Sequence, residues 1–212
     1  MGRYRGPVCR MCRREGIKLF LKGIRCTMAK CPIEREKPPP GVHGTKRGKM
    51  SDYAVQLREK QKLKRQFGMR EEQFKFFFQK ALKKRGITGE HLLQMLESRI
   101  DNLVYRLGFA TSRQSARQMV RHGHILLNGK KVNIPSLIVK AGSVINVANK
   151  QRSQEMARRS LELLKDVTVP AWLTRDDQQL SGEYVRTPTR DEIGPIAVSY
   201  THLRAHETPE HL

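Results

Sequence analysis

The sequence predicts an α+β fold in three parts: a stapled N-terminal segment, a mostly helical domain, and a small helix-plus-twisted-hairpin domain. Three observations carry this. Residues 1–50 lack apolar periodicity but hold all four cysteines. Residues 51–107 show apolar positions at helical spacing. Beyond them, Asn128-Gly129 separates two short apolar runs, the signature of a tight hairpin.

The N-terminal segment has too few apolar residues to build a core, so something else must hold it. Cys9, Cys12, Cys26 and Cys31 form C-x2-C-x13-C-x4-C. Two close pairs separated by a loop suit a tetrahedral four-thiolate site, in which each pair clamps one side of an ion. Metal binding then becomes folding free energy. The staple is read as one structural zinc. An iron–sulfur cluster, which uses the same ligands, and disulfides or unliganded thiols, disfavoured in a reducing compartment, are the alternatives. The histidines, His43 among them, are not read as ligands. Pro38-Pro39-Pro40 should be extended and semi-rigid.

A helix is expected from the cap Ser51 to Gly68, and a second over 69–85. Phe74, Phe77, Phe78, Ala81 and Leu82 form the apolar stripe of the second. A third helix, 88–107, places Leu92, Leu93, Leu96, Ile100, Leu103, Val104 and Leu107 in one arc. A short helix follows from Ser112 to His122 and stops at Gly123. The hairpin around Asn128-Gly129 comes next, then strand-like alternation over 136–148 and a helix over 150–165. Residues 166–212, punctuated by prolines, read as short and irregular.

Charge narrows the function. The 212 residues carry 42 Lys and Arg against 20 Asp and Glu, a formal charge of +22. By segment the balance is +11 over 1–50, +6 over 51–90, +7 over 91–150 and −2 over 151–212. Such an excess repels itself unless a polyanion neutralises it, and nucleic acid does so with release of counterions. The first three quarters of the chain should meet that partner. No run reaches the ~18 apolar residues of a membrane span, and the first residues have no apolar signal core. A cytosolic protein is expected.

On a helical wheel Arg113, Arg117 and Arg121 fall at about 0°, 40° and 80°. Ala116, Met119 and Val120 occupy the adjoining edge, which should pack on the 88–107 helix. The three guanidinium forks are expected to project together toward phosphate. His122, His124, Lys130 and Lys131 extend this surface at the helix end and hairpin tip. Arg3, Arg5, Arg13, Arg14, Lys46, Arg47 and Lys49 are the expected RNA contacts of the N-terminal segment. Tyr4 and Tyr53 are candidates for stacking on bases, with core packing equally open for Tyr53.

These residues carry a resemblance. SRID (98–101), R-x-G (106–108), SRxxAR (112–117), VxHG (120–123) and the later NG and NIPS resemble the RNA-binding module of bacterial small-subunit ribosomal protein four. That module also occurs in pseudouridine synthases and some tRNA synthetases. The opening MGRYRGPVCRMCRREG, then YAVQLREKQKLKRQFG, MREEQFKFFFQKA, VPAWL and GEYVRTPTRDEI resemble the ribosomal protein family itself, to about residue 193. The cysteines make the chain similar to its zinc-keeping members. The resemblance implies four segments: a zinc-binding basic segment, 1–50; a helical domain, 51–96, completed by 150–196; the RNA-binding module, 97–149; and an atypical tail, 197–212. The tail lacks the family's apolar, strand-like ending and reads as foreign.

The resemblance further implies a structural protein rather than an enzyme. It implies direct binding to small-subunit (16S) rRNA, nucleation of the subunit body and a role in translational accuracy. Its implied partners are that rRNA, ribosomal protein five and mRNA where it enters the subunit, with no membrane and no small-molecule substrate. Asp101 matches a motif acid read as structural. The rival readings are an RNA-modifying enzyme, which would need a catalytic domain with a nucleophilic Asp, and a zinc-dependent DNA-binding regulator, which would need a dimerisation helix. Neither feature stands out in the sequence.

Overall fold

A computed structural model describes residues 4–42, 44, 48–165 and 168–193. Among them, α1 (Cys9–Glu15) and a 3-10 turn (Gly23–Cys26) belong to the N-terminal segment. Then come α2 (Asp52–Gln66), α3 (Glu71–Leu82), α4 (Thr88–Glu97), α5 (Ile100–Arg106) and α6 (Arg113–Arg121). Strands β1 (Ile125–Leu127), β2 (Lys130–Lys131) and β3 (Ser143–Val147) precede α7 (Gln151–Leu163). The last elements are β4 (Leu173–Asp176), β5 (Ser181–Tyr184) and a 3-10 turn (Asp191–Ile193).

The helical part follows the sequence closely. The Ser51 side chain accepts the Ala54 N–H at 3.3 Å and caps α2. Phe74, Phe77, Phe78 and Ala81 are buried against Leu92, Leu93 and Leu96 of α4 and Leu63 of α2. Leu82, expected in the same stripe, is instead exposed at the last residue of α3.

The single helix expected over 88–107 is two helices. Arg99 takes an extended conformation between α4 and α5 and bridges to Ile138. Main-chain bonds replace the helical ones: Val139 N–H donates to Ser98 O at 2.8 Å, and Ile100 N–H donates to Leu137 O at 2.9 Å. The apolar phase runs on across the break, so periodicity alone could not find it. The two halves bury different partners. Leu92, Leu93 and Leu96 complete the helical core. Ile100, Leu103, Val104 and Leu107 enter a second core with α6 and the sheet.

That sheet is antiparallel and five-stranded, in the order β2-β1-β3-β5-β4. Asn128 (φ 48°) and Gly129 (φ 78°) make the two-residue turn that pairs Leu127 with Lys130. In β3, Ser143, Ile145 and Val147 face inward while Val144 is exposed. The hairpin therefore forms one edge of a larger sheet. Residues 168–193, within the stretch 166–212 read as irregular, supply β4 and β5. The described part of segment 150–196, expected to complete the helical domain, contributes to both cores. Ala157, Trp172, Leu173, Leu180 and Tyr184 all join the second core, and Ile193 joins the helical one. The physical reason is local. Gly182 lies against Leu107, where an added Cβ would sit 2.5 Å from a Leu107 methyl, so β5 comes closer to α5 than any side chain allows. Trp172 meets Tyr184 edge-on at 5.7 Å, and Tyr184 Oη lies 2.8 Å from Ser98 Oγ at the α4–α5 break.

The N-terminal segment has a small core of Val8, Cys12, Leu19 and Leu21. It is tied to α2 by the buried Glu15 carboxylate, which pairs with Arg65 and lies 3.5 Å from Arg58.

Candidate nucleic-acid interface

Helix α6 starts where Ser112 Oγ accepts the Ser115 N–H at 3.2 Å. Its apolar edge, Ala116, Met119 and Val120, lies in the second core with the side chains of α5, as its spacing predicts. The arginines do not form one projecting row. Arg113 is drawn inward: its Nε–H donates to Asn102 Oδ1 at 2.8 Å, and its Cζ lies 4.9 Å from the Phe67 ring centre and 4.6 Å from that of Tyr105. Arg117 is largely buried, with Nη1 3.9 Å from Asp101 Oδ2. Arg121 alone of the three is exposed. The wheel gave their angles correctly. It could not show that α5 presents Asp101, Asn102 and Tyr105 along the same edge.

Those α5 groups belong to a buried polar seam. Asp101 accepts two bonds from Arg99, at 2.9 and 2.6 Å, as expected for a structural acid. Glu97, fully buried, accepts two from Arg106, at 3.0 and 2.8 Å, and one from Asn102 at 2.6 Å. Burial alone would push the Glu97 carboxyl up. The Arg106 guanidinium outweighs it and holds the carboxyl below the usual range.

The cationic surface gathers at the other end of α6. Gly123 (φ 71°) ends the helix, with its N–H on Val120 O and the His124 N–H on Met119 O. This turn sets the His122 and His124 rings 6.0 Å apart. His124 Nδ1 lies 2.8 Å from Ser153 Oγ. Burial pushes His124 down, and the neighbouring His122, Arg152, Lys150 and Lys131 add to this by repulsion. Arg121, His122, Lys130 and Lys131 are exposed around it. Lys150 and Arg152 were missed from sequence. A signal existed: α7 has no acid in its first turn, where the helix dipole favours one.

In the N-terminal segment Arg5, Arg14 and Lys49 are exposed, while Arg13 Nη1 donates to Pro38 O at 3.0 Å. Arg3, His43, Lys46, Arg47 and the tail from residue 197 lie outside the described residues. Tyr53 is 62% exposed and so does not pack in the core.

All four cysteines are free thiols, with Cys12, Cys26 and Cys31 buried. The Lys22 N–H donates to Cys26 Sγ at 3.4 Å. Burial pushes the Cys12 and Cys26 thiols up, and the other cysteines add to it. Four thiols are the donor number and type of a closed zinc site, and a main-chain donor at sulfur suits a thiolate. Among the described residues, no three His, Cys, Asp or Glu side chains are arranged to hold a metal ion. Nor is any described helix long and apolar enough to cross a membrane.

Residues 3–97 match the family described as ribosomal protein S4/S9 N-terminal domain, and residues 98–145 match the S4 domain. The chain is 55% identical over 194 residues to small ribosomal subunit protein uS4 of Thermus thermophilus, covering 91% of this chain and 93% of that protein. The protein of that name from Thermodesulfovibrio yellowstonii is 51% identical over 193 residues, and the one from Halothermothrix orenii 53% over 193, each with the same two coverages.

Proposed function

The chain belongs to the family of small ribosomal subunit protein uS4, and from that membership we propose that it is a structural constituent of the small ribosomal subunit that binds 16S rRNA directly. The observation that carries this is the cluster at the end of α6. Arg121, His122, His124, Lys130, Lys131, Lys150 and Arg152 come from α6, β2, α7 and the turns beside them, and the largest charged influences on His124 are all basic. Structured RNA is read largely through shape, phosphates and 2′-hydroxyls, which a broad cationic face matches better than one inserted helix does. The exposed Arg5, Arg14 and Lys49 extend the same chemistry to the N-terminal segment.

The reading extends to nucleating assembly of the subunit body, to contact with ribosomal protein five and with mRNA where it enters, and to decoding accuracy. The chain acts as a cytoplasmic scaffold rather than as an enzyme. Cys9, Cys12, Cys26 and Cys31 hold one structural zinc in this reading, supported by their number, spacing and burial. The ion would supply cross-linking energy to a segment with a very small core. Reduced protein should contain about one zinc per chain, and none on metal analysis would refute the site.

The test of the main reading is binding to a small-subunit rRNA fragment containing a multi-helix junction, across a salt series. A scrambled structured RNA of equal length is the control. Preference for the rRNA that persists as salt rises supports it. Equal binding to both, vanishing with salt, would leave only a polycation.

A further inference from the structure

Arg113 poses a problem of charge. Burial disfavours its cation and the neighbouring Arg106 repels it; Glu97 and Asp101 offset this in part, but neither forms an ion pair with it among the described residues. The nearby acids are taken: Glu97 by Arg106, and Asp101 by Arg99. Arg113 has one hydrogen bond among the described residues, from Nε to Asn102, which leaves both Nη nitrogens without one. The Phe67 and Tyr105 rings fix the guanidinium in place. A fork held rigid, with two donors open, is prearranged for a bidentate oxyanion and loses little freedom on binding one.

Arg113 lines a cleft of about 270 Å³ where the N-terminal segment, the end of α2 and the start of α6 meet. Arg65, paired with Glu15, and Arg117 line it along with Arg113, and its acid, Asp101, is bound by Arg99. Part of the lining is apolar: Val8, Leu21, Met69 and the Phe67 ring on which Arg113 stacks. Tyr4 also lines the cleft, 48% exposed, and its ring lies over Gly6, where a Cβ would come within 2.5 Å of the Tyr4 hydroxyl. The volume falls just below the ~300–1,000 Å³ of pockets for drug-sized ligands, the scale of one nucleotide rather than of a helix or duplex.

We propose that this cleft takes a single unstacked nucleotide of the bound RNA, its phosphate on the Arg113 fork and its base against the apolar lining and Tyr4. The inference rests on the RNA-binding reading above and adds a defined contact to it. Splayed bases stacked on aromatic side chains are the usual targets of specific single-stranded RNA recognition. The nucleotide would also bridge the N-terminal segment to α6.

The test irradiates the full chain bound to the rRNA fragment with short-wavelength ultraviolet light and maps nucleotide–peptide adducts by mass spectrometry. The expected adducts lie on Tyr4, Phe67 or Met69 and come from one RNA position. Arg113→Lys keeps the charge but not the fork, and should weaken binding about tenfold and remove the adducts. Tyr4→Ala, at an exposed site that leaves the core intact, should weaken it about fivefold or more. Specific rRNA binding with adducts only outside the cleft, and unchanged affinity in Tyr4→Ala, would overturn the inference and leave the RNA-binding reading standing. Failure to bind the rRNA specifically would overturn both.

Discussion

Replacing Glu97 by Gln tests the buried seam that joins the two larger cores. The side chain keeps its shape and loses its charge. Arg106 then faces a neutral amide across what were bonds of 3.0 and 2.8 Å. Removing one partner of a buried pair costs about 3–5 kcal/mol. Arg106 retains 25% of its side-chain exposure, so water offsets part of the loss and the lower end, about 3 kcal/mol, applies. For a chain of this size that corresponds to a fall in Tm of roughly 6–12 °C. The pH dependence gives a second handle. Glu97 titrates below its unfolded value, so its stabilisation is complete above about pH 4.3 and is lost as pH falls through its folded pKa. Urea unfolding of both proteins from pH 7 to pH 3 should show a gap that is full at neutral pH and narrows below about 4. Glu97→Gln combined with Arg106→Met should recover much of the loss, because an apolar pair leaves no stranded charge. A gap below about 1 kcal/mol at pH 7, or one that does not change with acid, would refute the argument.

Three further outcomes are expected. Trp172→Ala should cost about 3–5 kcal/mol and abolish the near-ultraviolet circular dichroism of the only tryptophan, since its ring is 1% exposed and packs on Tyr184. Arg121→Ala, Lys130→Ala and Lys131→Ala should each leave Tm unchanged and lower the salt slope of rRNA binding by about one unit or less, read from titrations at several salt concentrations. Burial raises the Glu71 carboxyl, but hydrogen bonds from Lys60 and Lys64 outweigh it and hold it at about 2. Its contribution to stability should therefore be lost between about pH 4.5 and pH 2, and acid unfolding of Glu71→Gln should lack that component.

How much the sequence revealed depended on whether a feature was local. The Phe stripe of α3, the capped start of α2 and the Asn128-Gly129 turn are set by residues a few positions apart, and all three were legible. The α4–α5 break was not. Its cause is the main chain of residues 137–139, and the apolar rhythm on either side continues in phase. Strands β4 and β5 were hidden because LTRD and SGEY carry little apolar alternation; β5 becomes a strand by pairing with β3 and by the closeness of Gly182 to Leu107, and β4 by pairing with β5. At the interface, residue types were legible and directions were not. Arg121 and the hairpin lysines face outward as their positions imply, whereas Arg113 turns in because Asn102, Tyr105 and Phe67 offer it a better place.

The position of β5 between β3 and β4 also has a consequence for how the protein is made. Until Ser181–Tyr184 has been synthesised, one side of β3 has no neighbour, although β1, β2 and α6 are already in hand. Between Val147 and Tyr184 the ribosome adds 37 residues, on the order of two to seven seconds of elongation. During that interval the nascent chain exposes an unpaired strand edge, the kind of surface that joins other strands. A chain truncated after α7 would keep that edge permanently, so the last strands protect the nascent protein from aggregation as well as completing its sheet.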